Sequence, residues 1–198
     1  MITGRYNPAG RTPVDVPRSV GHIPVYHCQY NGSTVSRNRR AVQSGYIDAK
    51  DSVLVPFGYG LSYTAFAYSD FMITLDQNTG AMSASVVVEN IGRMDGDEVV
   101  QLYGSDLLAS MLRPVHELVG FKRVSMKAGE KKKVIFRFNI DFFAFLDQHM
   151  KWILEKGDFR FTVGSHSDDI RSEQTVRLSA NKEVDYKMRC LYAEAIVQ

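Results

Sequence analysis

The sequence predicts a mainly β protein, an antiparallel β-sandwich preceded by a loop-rich N-terminal extension. Three observations support this fold class. From about Phe66 onwards apolar and polar residues alternate with a period of two, the pattern of strands that bury one face. Turn residues separate the alternating stretches at short intervals, as in a sandwich. Aromatic residues make up 11% of the chain, and aromatic side chains are enriched in strands.

The alternating stretches define the predicted strands in chain order. They are residues 81–88, 97–103, 133–140, 159–163 and 175–178. In each stretch the apolar positions are expected to face the core and the intervening positions to face water. In the second stretch, for example, Val100 and Leu102 should point inwards, whereas Gln101 and Tyr103 should lie on the wetter face.

The connections between these stretches carry typical turn residues. Asn78-Thr79-Gly80 predicts a hairpin turn before the first stretch. Glycine-containing turns at 127–130 and 156–158 precede two further strands. The stretch 141–146 interrupts the alternation and predicts a short helical turn with Asp141 as its N-cap.

The two ends of the chain differ from this middle part. Residues 1–63 contain five of the six prolines and show no periodicity, so we expect them to pack onto the sandwich or onto something outside this chain. The first five residues lack the apolar stretch of a signal peptide. Residues 181–198 are mixed in charge and are predicted to form a short helix or frayed tail outside the main core.

Length and composition bound the class of protein. The 198 residues suffice for one domain, or for one domain and part of another, and 44% hydrophobic with 23% charged residues is typical of globular proteins. A net charge of +2 gives no general reason to expect nucleic-acid binding. No apolar run reaches the ~18 residues of a membrane span. Residues 1–47 hold six basic residues and one acid, and we interpret Arg37, Arg39 and Arg40 as a solvated loop rather than a polyanion site.

Candidate metal and thiol chemistry is weak in this sequence. His22, His27 and Cys28 lie close together, but a zinc site wants three or four ligands and a second ligand pair is absent. We interpret His22 as a hydrogen-bonding loop residue. Cys28 and Cys190 could pair in an oxidising compartment, yet they lie in the least ordered regions and we expect free thiols.

Three further short motifs carry little weight. Asn31-Gly32-Ser33 is a glycosylation acceptor string that is frequent by chance. Residues 165–169 combine Ser, His and Asp but lack the ligand spacing of a calcium loop, and neighbours in sequence do not make a catalytic triad. We therefore predict no catalytic, cofactor-binding or metal-binding residue, and no cofactor, for this chain.

Aromatic side chains could stack on sugar rings or fill the core. Core packing is the better interpretation for one group, because most of its members lie in the inward phase of strands. That group comprises Tyr103, Phe136, Phe138, Trp152, Phe159 and Phe161. Tyr59 and Tyr63 are more exposed candidates, in the glycine-rich string 57–63. We interpret this string as an interdomain latch whose glycines permit tight turns.

Several longer strings point to a known family. Residues 7–14 read NPAGRTPV, 17–26 read PRSVGHIPVY and 56–64 read PFGYGLSYT. Further along are ENIG at 89–92, DGDEVVQLY at 95–103, RPVHELVGF at 113–121 and GDFRFTVG at 157–164. In this order the strings closely resemble the C-terminal portion of glycoside hydrolase family 3, the β-glucosidase and β-xylosidase family. The resemblance extends over roughly residues 4–180.

The resemblance implies a multidomain retaining enzyme in which a catalytic barrel and an α/β sandwich domain precede an immunoglobulin/fibronectin type III-like β-sandwich. It divides this chain into residues 1–63, the tail of the α/β domain with a linker; 64–180, the fibronectin type III-like sandwich; and 181–198, a C-terminal tail. The implied partners are the upstream catalytic domains, a β-glucoside, β-xyloside or oligosaccharide substrate, and a second copy in a homodimer. Family members are usually periplasmic or extracellular.

The catalytic groups of such an enzyme are not expected in this chain. A retaining glycosidase needs two carboxyl groups about 5–5.5 Å apart. In this family the nucleophile is an Asp of the barrel and the acid is commonly a Glu of the α/β domain, both upstream of the matched strings. We therefore predict that the chain alone is inactive and has a structural role.

A free-standing carbohydrate- or protein-binding module with the same fold is the alternative, since a fold does not determine function. Residues 1–63 discriminate between the two, because exposed apolar surface there favours a part of a larger enzyme.

Overall fold

The computed structural model describes residues 2–30 and 53–198, in which thirteen strands form. They are β1 (Val16–Pro17), β2 (Val53–Val55), β3 (Phe66–Leu75), β4 (Ala81–Asn90), β5 (Gly96–Asp106), β6 (Glu117–Met126), β7 (Lys131–Asn139), β8 (Phe145–Leu146), β9 (Trp152–Leu154), β10 (Gly157–His166), β11 (Asp169–Leu178), β12 (Lys182–Glu183) and β13 (Glu194–Val197). Short 3₁₀ helices cover Val20–His22 and Ile140–Phe143.

Two four-stranded antiparallel sheets form the body of the protein. One has the strand order β13-β7-β4-β3 and the other, which we call the docking sheet, has the order β11-β10-β5-β6. Two smaller sheets, β12-β9-β8 and β1-β2, flank them. The predicted antiparallel β-sandwich is therefore confirmed, and so is the hairpin turn at 78–80, where Gly80 adopts a φ of +77°.

The core lies between the two large sheets and follows the alternation in the sequence. Strand β4 buries every second residue, and so does most of β7. In β10 the alternate residues Phe159, Phe161 and Val163 are buried. Phe143, which follows β7, places its ring 5.5 Å from that of Phe159 and 5.6 Å from that of Phe161. A Cβ on Gly104 would overlap the Phe143 ring, so this packing requires glycine.

The C-terminal residues belong to the sandwich, so the expected tail outside the main core is wrong. Strand β13 pairs antiparallel with β7, for example Ala195 with Phe136. Ala193 is buried in the core, and its N–H donates to the carbonyl of Val119 on the other sheet at 2.9 Å. A four-residue strand is too short for periodicity to reveal it in the sequence.

The cap of the predicted helical turn differs by two residues from the expectation. Asn139, not Asp141, is the N-cap, and its side-chain oxygen accepts a hydrogen bond from the Asp141 N–H at 3.1 Å. The helix begins at Ile140, which is fully buried in the core. The Asp141 carboxylate instead accepts from the N–H of Cys190 at 3.0 Å and so holds the C-terminal segment.

Trp152 is not a core residue, although the four Phe side chains of the same predicted group are. Of its two phase neighbours, Leu154 is buried, but Met150 is exposed in a turn with a φ of +61°. The indole ring lies partly buried beneath the Arg189 guanidinium, 4.6 Å from the ring centroid, and beside Tyr186. The small β12-β9-β8 sheet thus turns this side chain away from the sandwich interior.

The outer face of β5 is the main departure from the alternating pattern. Gln101 and Tyr103, which the alternation places on a wetter face, are both buried, as is Thr162 on the neighbouring strand β10. The side chains that cover them come largely from residues 2–30 and 53–63, which we call the N-terminal segment.

Candidate interdomain interface

The two parts of the N-terminal segment are joined to each other by backbone hydrogen bonds. The N–H of Gly58 donates to the carbonyl of Thr12 at 2.7 Å, and the N–H of Thr12 donates to the carbonyl of Tyr59 at 2.9 Å. The Phe57 N–H donates to the Asp15 carboxylate at 2.6 Å. Strands β1 and β2 extend this pairing, with Val16 opposite Val55. The segment therefore docks as one layer rather than as two separate loops.

Gln101 is the polar centre beneath this layer. Its amide donates to the carbonyl of Gly58 at 3.1 Å and to the carbonyl of Ser165, and its oxygen accepts from the Tyr103 hydroxyl at 2.6 Å. Gly58 has a φ of +80°, and a Cβ there would overlap the Gln101 side-chain oxygen. The string 57–63 can approach the sheet this closely only with glycine at position 58.

A buried ion pair ties the segment to β5 and β3. Arg11 donates to Glu98 at 2.6 Å, and the two side chains are only 13% and 3% exposed. The Tyr68 hydroxyl donates to the second Glu98 oxygen at 2.7 Å. Burial raises the pKa of the Glu98 carboxyl, and the positive charge of Arg11 only partly opposes this shift. Burial, together with the neighbouring Glu98 carboxylate, also raises the pKa of Tyr68.

Aromatic rings make the next contact along the docking sheet. His27 stacks on Phe57 with 3.9 Å between ring centroids and lies 6.0 Å from His116. The His116 ring in turn packs 5.2 Å from that of Tyr103 on β5. The N-terminal segment therefore also reaches the loop that connects β5 to β6.

Asn7 fixes the segment at the other end of β5. Its side-chain amide donates to the carbonyl of Asp95 at 3.0 Å, in the turn that precedes β5. Its side-chain oxygen accepts from the Ser62 hydroxyl at 3.0 Å and from the Tyr63 N–H at 2.8 Å. A Cβ on Gly96 would overlap the Asn7 amide nitrogen, so this contact is also tight.

The N-terminal segment also exposes many apolar side chains to solvent. Eleven large apolar or aromatic side chains of its described residues are exposed: Ile2, Tyr6, Val14, Val16, Val20, Ile23, Tyr26, Tyr30, Leu54, Leu61 and Tyr63. Scattered exposed apolar residues are ordinary, but such a concentration on one short segment marks an interaction surface. The segment thus contacts the docking sheet and also exposes apolar side chains that a second partner could cover.

The other residues singled out in the sequence take up ordinary positions. The Nδ1 atom of His22 lies 2.7 Å from the hydroxyl oxygen of Ser19. This contact confirms the interpretation of His22 as a hydrogen-bonding loop residue. Cys28 and Cys190 are free thiols, as expected. The string 31–33 and the arginines at 37, 39 and 40 lie outside the described residues.

Residues 165–169 span the end of β10, the two-residue turn and the start of β11. Asp169 accepts from the Ser165 hydroxyl at 2.6 Å and from Arg171 at 2.8 Å. Burial alone would raise the pKa of Asp169, but these two hydrogen bonds and the Arg171 charge hold it below its usual value. In residues 2–30 and 53–198 no three His, Cys, Asp or Glu side chains come together in a way that could hold a metal ion.

The sequence identifies the string 57–63 as a latch but does not reveal the residues beneath it. Asn7, Glu98 and Gln101 act across long separations in sequence, which periodicity does not report. A signal is present nevertheless, because Glu98 and Gln101 are polar residues that directly flank the apolar pair Val99 and Val100 in β5. The arrangement holds two layers of protein together.

Within the described residues no helix has both the length and the apolar character that a bilayer span requires.

The chain is similar to a family model and to several known proteins. Residues 98–167 match the family model described as a fibronectin type III-like domain. The chain is 40% identical over 175 residues to a periplasmic β-glucosidase of Salmonella typhimurium, covering 86% of this chain and 23% of that protein. It is 36% identical over 173 residues to a putative β-xylosidase of Formosa agariphila, covering 86% of this chain and 22% of that protein.

A solved structure shows the same arrangement of the chain. The β-glucosidase of Listeria innocua in complex with glucose matches with a TM-score of 0.80 and 32% identity, covering 89% of this chain and 25% of that one. The present chain therefore spans about a quarter of the length of the relatives that it matches.

Proposed function

Since the chain belongs to the fibronectin type III-like, C-terminal part of glycoside hydrolase family 3, we propose that it is the structural C-terminal unit of a retaining β-glycosidase. The catalytic domains would precede it in the same polypeptide. In this role the sandwich supports the upstream domains and sets the position of the N-terminal segment, which connects the two.

The exposed apolar side chains of the N-terminal segment carry this proposal. A free-standing binding module has no use for a proline-rich layer that covers its own sheet and presents large apolar side chains to water. A unit that faces another domain on that side needs such a layer. We therefore favour the structural unit over a free-standing carbohydrate- or protein-binding module, and we place the boundary between the segment and the sandwich at residues 63 and 64.

The proposed reaction of the whole protein is hydrolysis of terminal β-D-glucosyl or β-D-xylosyl residues with retention of configuration. Both carboxyl groups that such a reaction requires would come from the upstream domains. The β-glucosidase and β-xylosidase names of the relatives support this substrate class, and the periplasmic name of one relative supports a periplasmic or extracellular location. A homodimer is a further proposal for the whole protein, with no residue of this chain assigned to it.

The test combines size and activity. An antibody raised against this chain should detect, in the source cells, a band several-fold heavier than 22.3 kDa. That species should coelute on gel filtration with activity on aryl β-glucosides or β-xylosides, whereas the purified 198-residue chain should show no turnover. A single band at 22.3 kDa, or robust turnover by the chain alone, would contradict the proposal.

A further inference from the structure

The loop between β5 and β6 presents a second exposed apolar surface. We call residues 107–112 the loop tip. Four of its six residues are large apolar side chains that face solvent: Leu107, Leu108, Met111 and Leu112. Leu108 and Leu112 are 82% and 65% exposed, which is unusual for leucines so close together in a chain.

The loop tip is held in place by polar contacts from both sides of its base. The Leu107 N–H donates to the carbonyl of Asp158 at 3.2 Å, and the Ser110 N–H donates to Glu155 at 2.8 Å. At the end of the loop Arg113 donates to the carbonyl of Phe143 at 3.1 Å and to Glu117 at 3.2 Å. The apolar side chains are therefore displayed in a defined geometry.

The loop tip is continuous with the N-terminal segment. The Val115 N–H donates to the carbonyl of Gln29 at 2.8 Å, and Tyr30 forms a β-bridge with Pro114. Tyr30 and Tyr26 are themselves exposed on the segment. This bridge thus joins the base of the loop tip to a part of the segment that exposes two tyrosines.

The size of this combined surface indicates what covers it. A stable protein interface buries about 800 Å² on each partner, more than the four side chains of the loop tip can supply alone. Together with the exposed side chains of the segment they form a surface suited to a large partner. About three quarters of the length of the matched relatives lies outside the part that this chain matches. Under the proposed function, the upstream domains would be a partner of sufficient size.

We propose that the loop tip docks onto the upstream domains of the same polypeptide and forms a second contact beside the N-terminal segment. This inference rests on the proposed function, since it assumes that those domains are present. It adds that they extend over the end of the sandwich at which β5 turns into β6.

Hydroxyl-radical footprinting of methionine and tyrosine side chains tests the inference. The full-length polypeptide that contains this chain is compared with the 198-residue chain. Met111 reports on the loop tip, and Tyr26 and Tyr63 report on the segment. Met72 on β3 and Met150 in the turn after β8 are internal controls, 60% and 75% exposed. We expect Met111, Tyr26 and Tyr63 to react several-fold more slowly in the full-length protein, with both controls unchanged.

The outcomes separate the two proposals. If the tyrosines are protected and Met111 reacts at the same rate in both proteins, the loop-tip inference is overturned and the proposed function stands. If neither the tyrosines nor Met111 are protected, both the loop-tip inference and the proposed function fail. If Met111 is already protected in the 198-residue chain in a concentration-dependent way, a second copy covers the loop tip and the inference is overturned.

Substitution provides an independent measurement. The double variant Leu108→Asp/Leu112→Asp should lower the thermal midpoint of the full-length protein and leave that of the 198-residue chain unchanged. Met150→Asp is the matched control, since it also replaces an exposed apolar side chain with a charge. An unchanged midpoint of the full-length double variant would overturn the inference.

Discussion

The side-chain amide of Gln174 on β11 donates to the carbonyl of Phe71 on β3 at 2.8 Å, and its oxygen accepts from the N–H of Ile73 at 3.1 Å. One side chain thus occupies two backbone groups of an edge strand on the opposite sheet. The contact lies at a bulge in β3, where the register with β4 shifts between Ser69 and Met72. Gln174 therefore closes one side of the sandwich.

Replacement of Gln174 should open this edge. We expect Gln174→Ala to lower the free energy of unfolding by about 1 to 2 kcal/mol, since it removes two hydrogen bonds worth roughly 1 kcal/mol each. Urea unfolding followed by the fluorescence of Trp152, the single tryptophan, measures this change. Glu173→Ala, at the adjacent position of β11, is the control and should have a smaller effect. Equal effects of the two variants would argue against the edge-closing role.

Gly58 should tolerate no side chain. Gly58→Ala combines a strained φ of +80° with a Cβ that would overlap Gln101, so the N-terminal segment should detach from the docking sheet. Gly4→Ala is a matched control, because Gly4 has a φ of +73° but no atom within 4 Å of the added Cβ. Both variants carry a backbone cost of about 1 to 2 kcal/mol, and only Gly58→Ala adds the overlap. Faster limited proteolysis of the segment in Gly58→Ala alone is the expected result.

The Arg11–Glu98 pair should show strong coupling. Arg11→Met leaves the Glu98 carboxylate buried beside Tyr68 without its counter-charge, which should cost about 3 to 5 kcal/mol. Arg11→Met/Glu98→Gln removes both charges and should recover part of that loss. A double-mutant cycle on urea unfolding measures the coupling.

The more exposed pair Arg123–Asp97 is the control for this cycle. Its arginine side chain is largely in solvent, so Arg123→Met should cost far less than Arg11→Met. Additive effects of the Arg11 and Glu98 substitutions would show that burial does not strengthen that pair.

Asp169 should make stability depend on acidic pH. Its pKa in the folded protein is below its usual value, because the hydrogen bonds from Ser165 and Arg171 outweigh the effect of burial. The stabilisation that ionised Asp169 gives the folded protein is therefore complete above the unfolded pKa of about 3.9. It is lost as the pH falls through the lower pKa of the folded protein. The stability difference between the native protein and Asp169→Asn should be constant from about pH 7 to about pH 5 and shrink below about pH 4.

Urea midpoints at a series of pH values measure this effect. Glu173→Gln, which replaces an exposed carboxylate on the same strand, is the control substitution. A difference between native protein and Asp169→Asn that does not change between about pH 5 and about pH 3 would contradict the assignment.

Local pattern in the sequence determined most of the sandwich. The apolar residues of β4, β7 and β10 recur with a period of two, and the glycine at position 80 forms the predicted turn. These features depend on neighbours along the chain, so a single sequence reveals them. The ordered strings from residue 7 to residue 164 likewise predicted the resemblance to β-glucosidases and β-xylosidases, which the comparisons confirm.

Tertiary structure alone decided how the outer face of β5 is used. Gln101 and Tyr103 have the spacing of solvent-facing residues, yet both are buried. Gln101 is covered by Gly58, which is 43 residues away in the sequence, and Tyr103 by His116 of the loop after β5. Strand β13, the Asn139 cap and the Gln174 closure likewise depend on partners on other strands or on buried neighbours. Burial of a polar side chain depends on which segment covers it, and that contact is set by the packing of distant parts of the chain rather than by local periodicity.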